Sequence, residues 1–226
     1  MKKSIRIFLI LVSLSTSTIC FGVDIDPFTK IKVLGNLKIN IHQGDAEKIE
    51  VTNNDSSIVD SDIVIEVVKS ELNISIKGDN FHEHDITLDI WCKSLSGIDV
   101  RRGAFVKLMT AVESDSLGLE VASGGHIVGD ISCRTLFAAI SKGGSMRIGG
   151  KASKAEYNVF AGGDLYALLM DSEDIVAKIR TGGEVTVTGK ATLDVLIFSG
   201  GKVSYKGNPK LTQEIKITGD IIKLDK

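Results

Sequence analysis

Proline and cysteine are scarce in this chain of 226 residues, and aromatic side chains are few. Two prolines beside 23 glycines exclude a collagen-like repeat and a Pro-rich linker. Three cysteines are too few for a disulfide scaffold. Eight Phe, three Tyr and one Trp are thin for a protein that stacks sugars or bases on exposed rings. Positive charge is not in excess: 27 Lys+Arg against 29 Asp+Glu give a net charge of −2, which argues against a nucleic-acid partner. No apolar run is long enough to cross a bilayer as a helix. What remains, 43% hydrophobic and 25% charged residues, is an ordinary foldable composition.

The first 22 residues read as a leader. Lys2, Lys3 and Arg6 form a basic start, Ile7 to Leu14 an apolar stretch, and Cys20-Phe21-Gly22 places small residues at the −3 and −1 positions of a cleavage site after Gly22. Export therefore takes the mature chain to the periplasm, the cell surface or the outside. A lipid anchor at Cys20 is disfavoured, because Ile19 stands where bacterial lipid attachment wants a small residue. Cleavage removes three positive charges and no acid, so the formal net charge moves from −2 to −5.

Glycine supplies an internal repeat. Gly124-Gly125, Gly143-Gly144, Gly162-Gly163, Gly182-Gly183 and Gly200-Gly201 recur, and Gly103-Ala104 fits one step upstream. The spacings between first glycines are 21, 19, 19, 20 and 18 residues. Three residues before each first glycine stand Val100, Val121, Ile140, Val159, Ile179 and Ile197; three after stand Val106, Ile127, Met146, Leu165, Val185 and Val203. Five before stand Ile98, Leu119, Ala138, Tyr157, Ala177 and Val195. Apolar positions alternate, which is a strand period and not a helical one. A unit of about twenty residues cannot bury its own apolar face, so neighbouring units must stack. The expected product is a single-domain, all-β parallel solenoid, with coils rising by about 4.8 Å and a glycine at each sharp corner.

Domain limits follow: residues 1–22 as leader and 23–226 as one domain. Within it, 23–95 is a less regular β region, either more coils or a cap; 96–205 holds the regular repeats; 206–226 is a shortened last coil. Lys210, Lys216, Lys223 and Lys226 are placed to protect that terminal edge.

The repeated units Ala122-Ser123-Gly124-Gly125-His126-Ile127 and Phe198-Ser199-Gly200-Gly201-Lys202-Val203 resemble the "putative auto-transporter adhesin, head GIN domain" family of bacteria. The stretch from Tyr205 to Lys210 is similar to that family's ending, and Phe28 to Gly44 to its opening strand pair. The resemblance covers roughly residues 28–224. It implies a right-handed parallel β-helix and an adhesion role, and it carries no catalytic residues. Arg102 and Lys142 depart from the small residue usual before the first glycine, Asp220 stands near the last corner, and the two basic side chains are expected on one outer corner.

Candidates for chemistry are sparse. His82-Glu83-His84-Asp85 has metal-ligand types, but no third ligand is fixed, so a solvated loop is the favoured reading and no metal is expected. Cys92 and Cys133 fall at nearly the same place on coils two apart, about 9.6 Å by the strand spacing; that exceeds the ~7 Å reach of a disulfide, so both are expected as free, mostly buried thiols. Asp60 with Asp62, Asp24 with Asp26, and Asp171 with Glu173 and Asp174 are acid pairs whose spacing permits glycoside chemistry, although no cation is predictably beside them. No Walker loop or nucleophile elbow is present. No catalytic residue and no cofactor is therefore assigned.

Three functions remain. A non-enzymatic adhesion or surface-interaction module is favoured, with an unidentified cell-surface or polysaccharide ligand and a possible homo-oligomer. A carbohydrate-active enzyme on a pectate-lyase-like scaffold and a periplasmic structural protein are the alternatives. Fold alone does not choose between them.

Overall fold

Strands account for 71% of the chain, and the coils number about seven at ~19 residues each. The computed structural model describes residues 19–23, 25–78 and 84–225. Most of the expected leader, Asp24, His82, Glu83 and Lys226 lie outside the described residues.

In chain order the strands are β1 (Ile19–Val23), β2 (Lys30–Leu34), β3 (Lys38–Gln43), β4 (Lys48–Asn53), β5 (Ile63–Val68), β6 (Glu71–Ile76), β7 (Ile86–Cys92), β8 (Gly97–Arg101), β9 (Phe105–Leu108) and β10 (Val112–Ala122). Four long bent strands follow, β11 (His126–Ser141), β12 (Gly144–Phe160), β13 (Gly163–Thr181) and β14 (Glu184–Ser199), then β15 (Lys202–Gly207), β16 (Lys210–Ile215) and β17 (Asp220–Lys223). From β8 onward every pairing is parallel.

Register turns the sequence repeat into ladders. Val33, Val100, Val121, Ile140, Val159, Ile179 and Ile197 pair in succession, all essentially inaccessible to solvent. Across the corner, Ile39, Val106, Ile127, Met146, Leu165, Val185 and Val203 do the same. Fully burying each such side chain contributes about 1.5–3 kcal/mol, and aliphatic side chains stacked at strand spacing leave few voids. A third ladder alternates size: Tyr157 lies between Ala138 and Ala177 and is 0% exposed. Its ring fills the interior that the two alanines vacate.

The corners explain the glycine pairs, and the two glycines differ in cause. At Lys142-Gly143-Gly144, Lys142 and Gly143 both have positive φ, 51° and 73°. A Cβ on Gly143 would meet nothing within 4 Å, so Gly143 answers a backbone need. A Cβ on Gly144 would lie 2.8 Å from Val121 Cγ1 and 2.9 Å from Val121 O, so Gly144 answers a need for space. The same contact recurs from Gly125 to Val100, Gly163 to Ile140, Gly183 to Val159 and Gly201 to Ile179. Arg102 and Lys142 stand on this corner with Ser123 between them, linked by Gly103 N–H to Ser123 O at 3.1 Å and Gly124 N–H to Lys142 O at 3.3 Å.

The N-terminal region is both coils and cap, and its order in space is not its order in sequence. β2 pairs in parallel with β6 on one side and β8 on the other; β3 pairs with β7 and β9. The first coil is thus inserted between the second and third. β5 and β4 run antiparallel on the outer sides of β6 and β7 and close that end. β1, which carries Cys20 and the expected cleavage point, pairs antiparallel with β4. The insertion corrects the expected cysteine spacing: β3 and the coil of β9 separate Cys92 on β7 from Cys133 on β11, three steps rather than two. Both thiols are free, Cys92 buried and Cys133 half-buried. At the far end β16 and β17 are edge strands, where Lys210, Lys216 and Lys223 are exposed beside Ile215 and Ile217.

A loop on the capped end is held by a carboxylate. Asp55 accepts hydrogen bonds from Ser57 N–H at 2.9 Å, Ser57 Oγ at 2.5 Å and His84 Nδ1 at 2.9 Å. The Ser57 hydroxyl and the His84 ring are the largest influences that bring its pKa down to about 2.

Three outcomes are expected. Gly143→Ala costs about 1–2 kcal/mol, the cost of a left-handed residue with a Cβ, whereas Gly144→Ala lowers the melting temperature further; paired thermal denaturation compares them. Tyr157→Phe is neutral or stabilising. Burial pushes the Tyr157 hydroxyl well up with the nearby Ser172 hydroxyl opposing, but the two oxygens do not reach hydrogen-bond geometry and neither has a partner, and a buried unsatisfied hydroxyl costs about 1–3 kcal/mol. Asp55→Asn destabilises at pH 6. Because the folded pKa is depressed, the wild-type advantage is complete above about pH 4 and fades as pH falls through about 2; denaturant midpoints of both proteins at pH 6, 4 and 2 should converge.

Candidate functional site

Of the candidate acids, Asp24 lies outside the described residues, and several of the others have partners of their own. Asp60 and Asp62 sit in a short 3-10 turn rather than on a strand. Asp60 accepts from Asn53 Nδ2 at 3.2 Å, in an open depression of about 480 Å³ that Asp55 also lines. A glycosidase acid needs a raised pKa, and Asp55 is held low. Asp171 pairs with Lys190 at 2.5 Å, Glu173 lies 4.0 Å from the same ammonium, and Asp174 accepts from Thr192 Oγ1 at 2.8 Å. These groups form a charged seam on the outer bend of consecutive coils. The sequence had not placed Lys190 there; the parallel register does, at a separation of 19 residues.

The histidines are dispersed. His84 is buried against Asp55, while Asp85 pairs with Lys38 at 3.3 Å on the surface. His42 stacks on Trp91 with centroids 4.7 Å apart, and Lys48 Nζ lies 5.1 Å from the Trp91 ring. Since β3 and β4 flank β7, both faces of Trp91 are covered, and it offers no free platform. His126 is exposed, 6.4 Å from the Phe105 ring. Among the described residues no group of three His, Cys, Asp or Glu side chains is placed to hold a metal. Burial pushes the Cys92 thiol to about 12 and the Cys133 thiol to about 11, so neither supplies a thiolate near neutral pH.

The outward row of the first ladder carries a different arrangement. Inward Val159, Ile179 and Ile197 are in register, so the residues that follow them, Phe160, Arg180 and Phe198, stand side by side on the outer face. Phe160 is 40% exposed and Phe198 50%. The row two residues earlier holds Asn158, Lys178 and Leu196. Together they line a shallow groove of about 240 Å³. Glu156 at its rim accepts from Lys178 Nζ at 2.8 Å and Asn158 Nδ2 at 3.1 Å; both bonds hold its carboxyl below the usual range.

The electrostatics single out Arg180. Three cations occur in this outer row. Arg101 is held by Asp99 at 2.7 Å and Glu120 at 3.3 Å, and Lys216 is paired with Glu214. Arg180 has no hydrogen-bond or ion-pair partner among the described residues. Phe160 and Phe198 have no ring partner there either. An exposed guanidinium between two exposed rings on a rigid sheet is built for contact with something else. Sequence reasoning missed the groove because it followed inward positions; the signal available was the aromatic, basic, aromatic identity one residue past each inward Val or Ile.

The comparisons agree with this architecture. A crystal structure described as a putative adhesin of Bacteroides fragilis is 20% identical with a TM-score of 0.82, covering 93% of this chain and 98% of that one. A putative adhesin of Parabacteroides distasonis is 21% identical with a TM-score of 0.74, covering 92% and 97%. A protein of the same organism described as a putative lipid binding protein is 20% identical with a TM-score of 0.71, covering 92% and 97%. At such identities the likeness is one of fold. No curated protein matches the sequence. Over residues 27–209 the sequence itself matches one family, and the chain belongs to it: the family described as "putative auto-transporter adhesin, head GIN domain".

Proposed function

We propose that this chain is an exported, non-enzymatic interaction module of adhesion type, which engages a cell-surface or polysaccharide ligand through the groove of Phe160, Arg180 and Phe198. The observation that carries this reading is the unpartnered Arg180 between two exposed rings on a rigid parallel sheet. Exposed aromatic and Arg side chains are the types that dominate binding energy at recognition surfaces. The family description and the adhesin-named structural neighbours support it. A non-enzymatic role is supported by Asp60, Asp171, Glu173 and Asp174, which are tied to an amide, a cation or a hydroxyl.

The test is saturable binding of the purified chain, starting at Val23, to bacterial and host cells. The double variant Phe160→Ser/Phe198→Ser should bind at least tenfold more weakly with an unchanged melting temperature, because both rings are solvent-facing. Unchanged binding would remove the groove from the function. Turnover of a polysaccharide, abolished by Asp171→Asn, would replace the adhesion reading with an enzyme.

A further inference from the structure

We propose that the groove binds a carboxylate-bearing sugar unit of an acidic polysaccharide, with the carboxylate on the Arg180 guanidinium and the apolar C–H face of the sugar ring on Phe160 or Phe198. This rests on the adhesion reading and names its ligand class.

Size comes first. The groove spans three coils and two outward positions per strand. At about 4.8 Å between strands and about 6.8 Å between alternate residues, its footprint is about 10 by 7 Å, the area of one or two pyranose rings. Its 240 Å³ is shallow against the ~300–1,000 Å³ of pockets that enclose a small molecule. A ligand held here protrudes and continues beyond, as a polymer does. An acyl chain would find too little depth to be buried.

Charge comes second. Around Arg180, Lys142 beside Ser141 and Asp194 two residues before Leu196 are exposed without an ion-pair partner among the described residues. Lys178 is committed to Glu156, and Lys216 on the coil beyond Phe198 to Glu214. In the row of Arg180, the coils before Phe160 present Ser141 and Ala122, which carry no charge. The carboxylate of Glu156 at the groove's rim stays ionised because Lys178 and Asn158 hold it. An anionic ligand is therefore repelled at the Glu156 end and attracted at the Arg180 end, which fixes its direction. Guanidinium presents paired N–H donors that match a planar carboxylate, a geometry that ammonium lacks. Glu156 remains an acceptor for sugar hydroxyls.

The rings come third. Phe160 and Phe198 are two strand steps apart, about 9.6 Å, with the guanidinium between them. A carboxylate seated on Arg180 puts the ring that carries it over one phenyl face, and the next unit of the polymer can reach the other. An acidic peptide supplies the carboxylate but, for Asp or Glu, no rigid apolar face attached to it. The sugar acid satisfies both features at once.

The experiment is calorimetric titration of the chain from Val23 with polygalacturonate oligomers, neutral galactan of equal length, poly-L-glutamate and phosphatidylglycerol vesicles, at low and moderate salt. Polygalacturonate should bind at least tenfold more tightly than galactan, and more weakly as salt rises. Arg180→Gln should lose at least tenfold, Arg180→Lys should keep part of the affinity, and Phe198→Ala should lose severalfold. Lys69→Gln, in the turn between β5 and β6 at the capped end, should change nothing. Equal binding of galactan, or indifference to Arg180→Gln, overturns the proposal. So does poly-L-glutamate or vesicle binding of equal strength with the same Arg180 dependence, which would point to an acidic protein or a membrane. If cell binding survives Arg180→Gln but fails in the Phe160/Phe198 double variant, the ligand class is wrong and the adhesion reading stands. If cell binding survives both, the groove is not the adhesive surface.

Discussion

The close seat of each corner on the coil before it is the contact on which the rest of the structure depends. The second glycine of a pair lies where a Cβ would enter a Val or Ile side chain one coil back. That distance fixes how far each corner can advance along the rod. It therefore fixes the register that stacks Val on Ile on Val along the interior. The first glycine of each pair turns the chain; the second lets the turns stack, and at Gly183 and Gly201 it also has positive φ. With both in place, outward residues one coil apart are held side by side at strand spacing. The groove of Phe160, Arg180 and Phe198 is the outer shadow of the ladder Val159, Ile179 and Ile197.

The same register sorts charge. Asp171 meets Lys190, Asp115 meets Arg134, and Glu184 meets Lys202, each pair on neighbouring coils. Exposed pairs of this kind contribute little stability individually. What sets Arg180 apart is the pair of exposed rings that flank it, and its location on a flat face suits a large ligand better than a small one. The rarity of aromatics in the composition is misleading for the same reason. Phe105, Phe137, Phe160, Tyr166 and Phe198 are all on the surface, so few rings still give local density.

The interior ladders were legible in the sequence because they obey two simple periods, two residues along a strand and about nineteen along the chain. The glycine corners were legible for the same reason. The order of the N-terminal coils was not. β2, β6 and β8 carry the same alternating pattern, and a pattern that fits any neighbour cannot say which neighbour is chosen. That ambiguity displaced Cys92 from Cys133 by one extra step. The acid seam was half legible: Asp171, Glu173 and Asp174 stand out, but the lysine that neutralises two of them is a full coil away. The groove was least legible, because side chains facing solvent obey no packing rule and become a site only through register.

The insertion of β2 and β3 between later strands sets the order in which the molecule can assemble. During synthesis the first coil emerges with neither of its flanking coils yet made; its partners arrive only with residues 71–76, 86–92 and 97–108. Folding thus cannot zip from the N-terminus. Closing the long loop to those partners is a slow step by topology, whereas from β10 onward each new coil needs only the one before it and the regular half can grow by local addition. Until residues 97–108 have joined, Ile31, Val33, Ile39 and Ile41 lack cover on one side of the first coil.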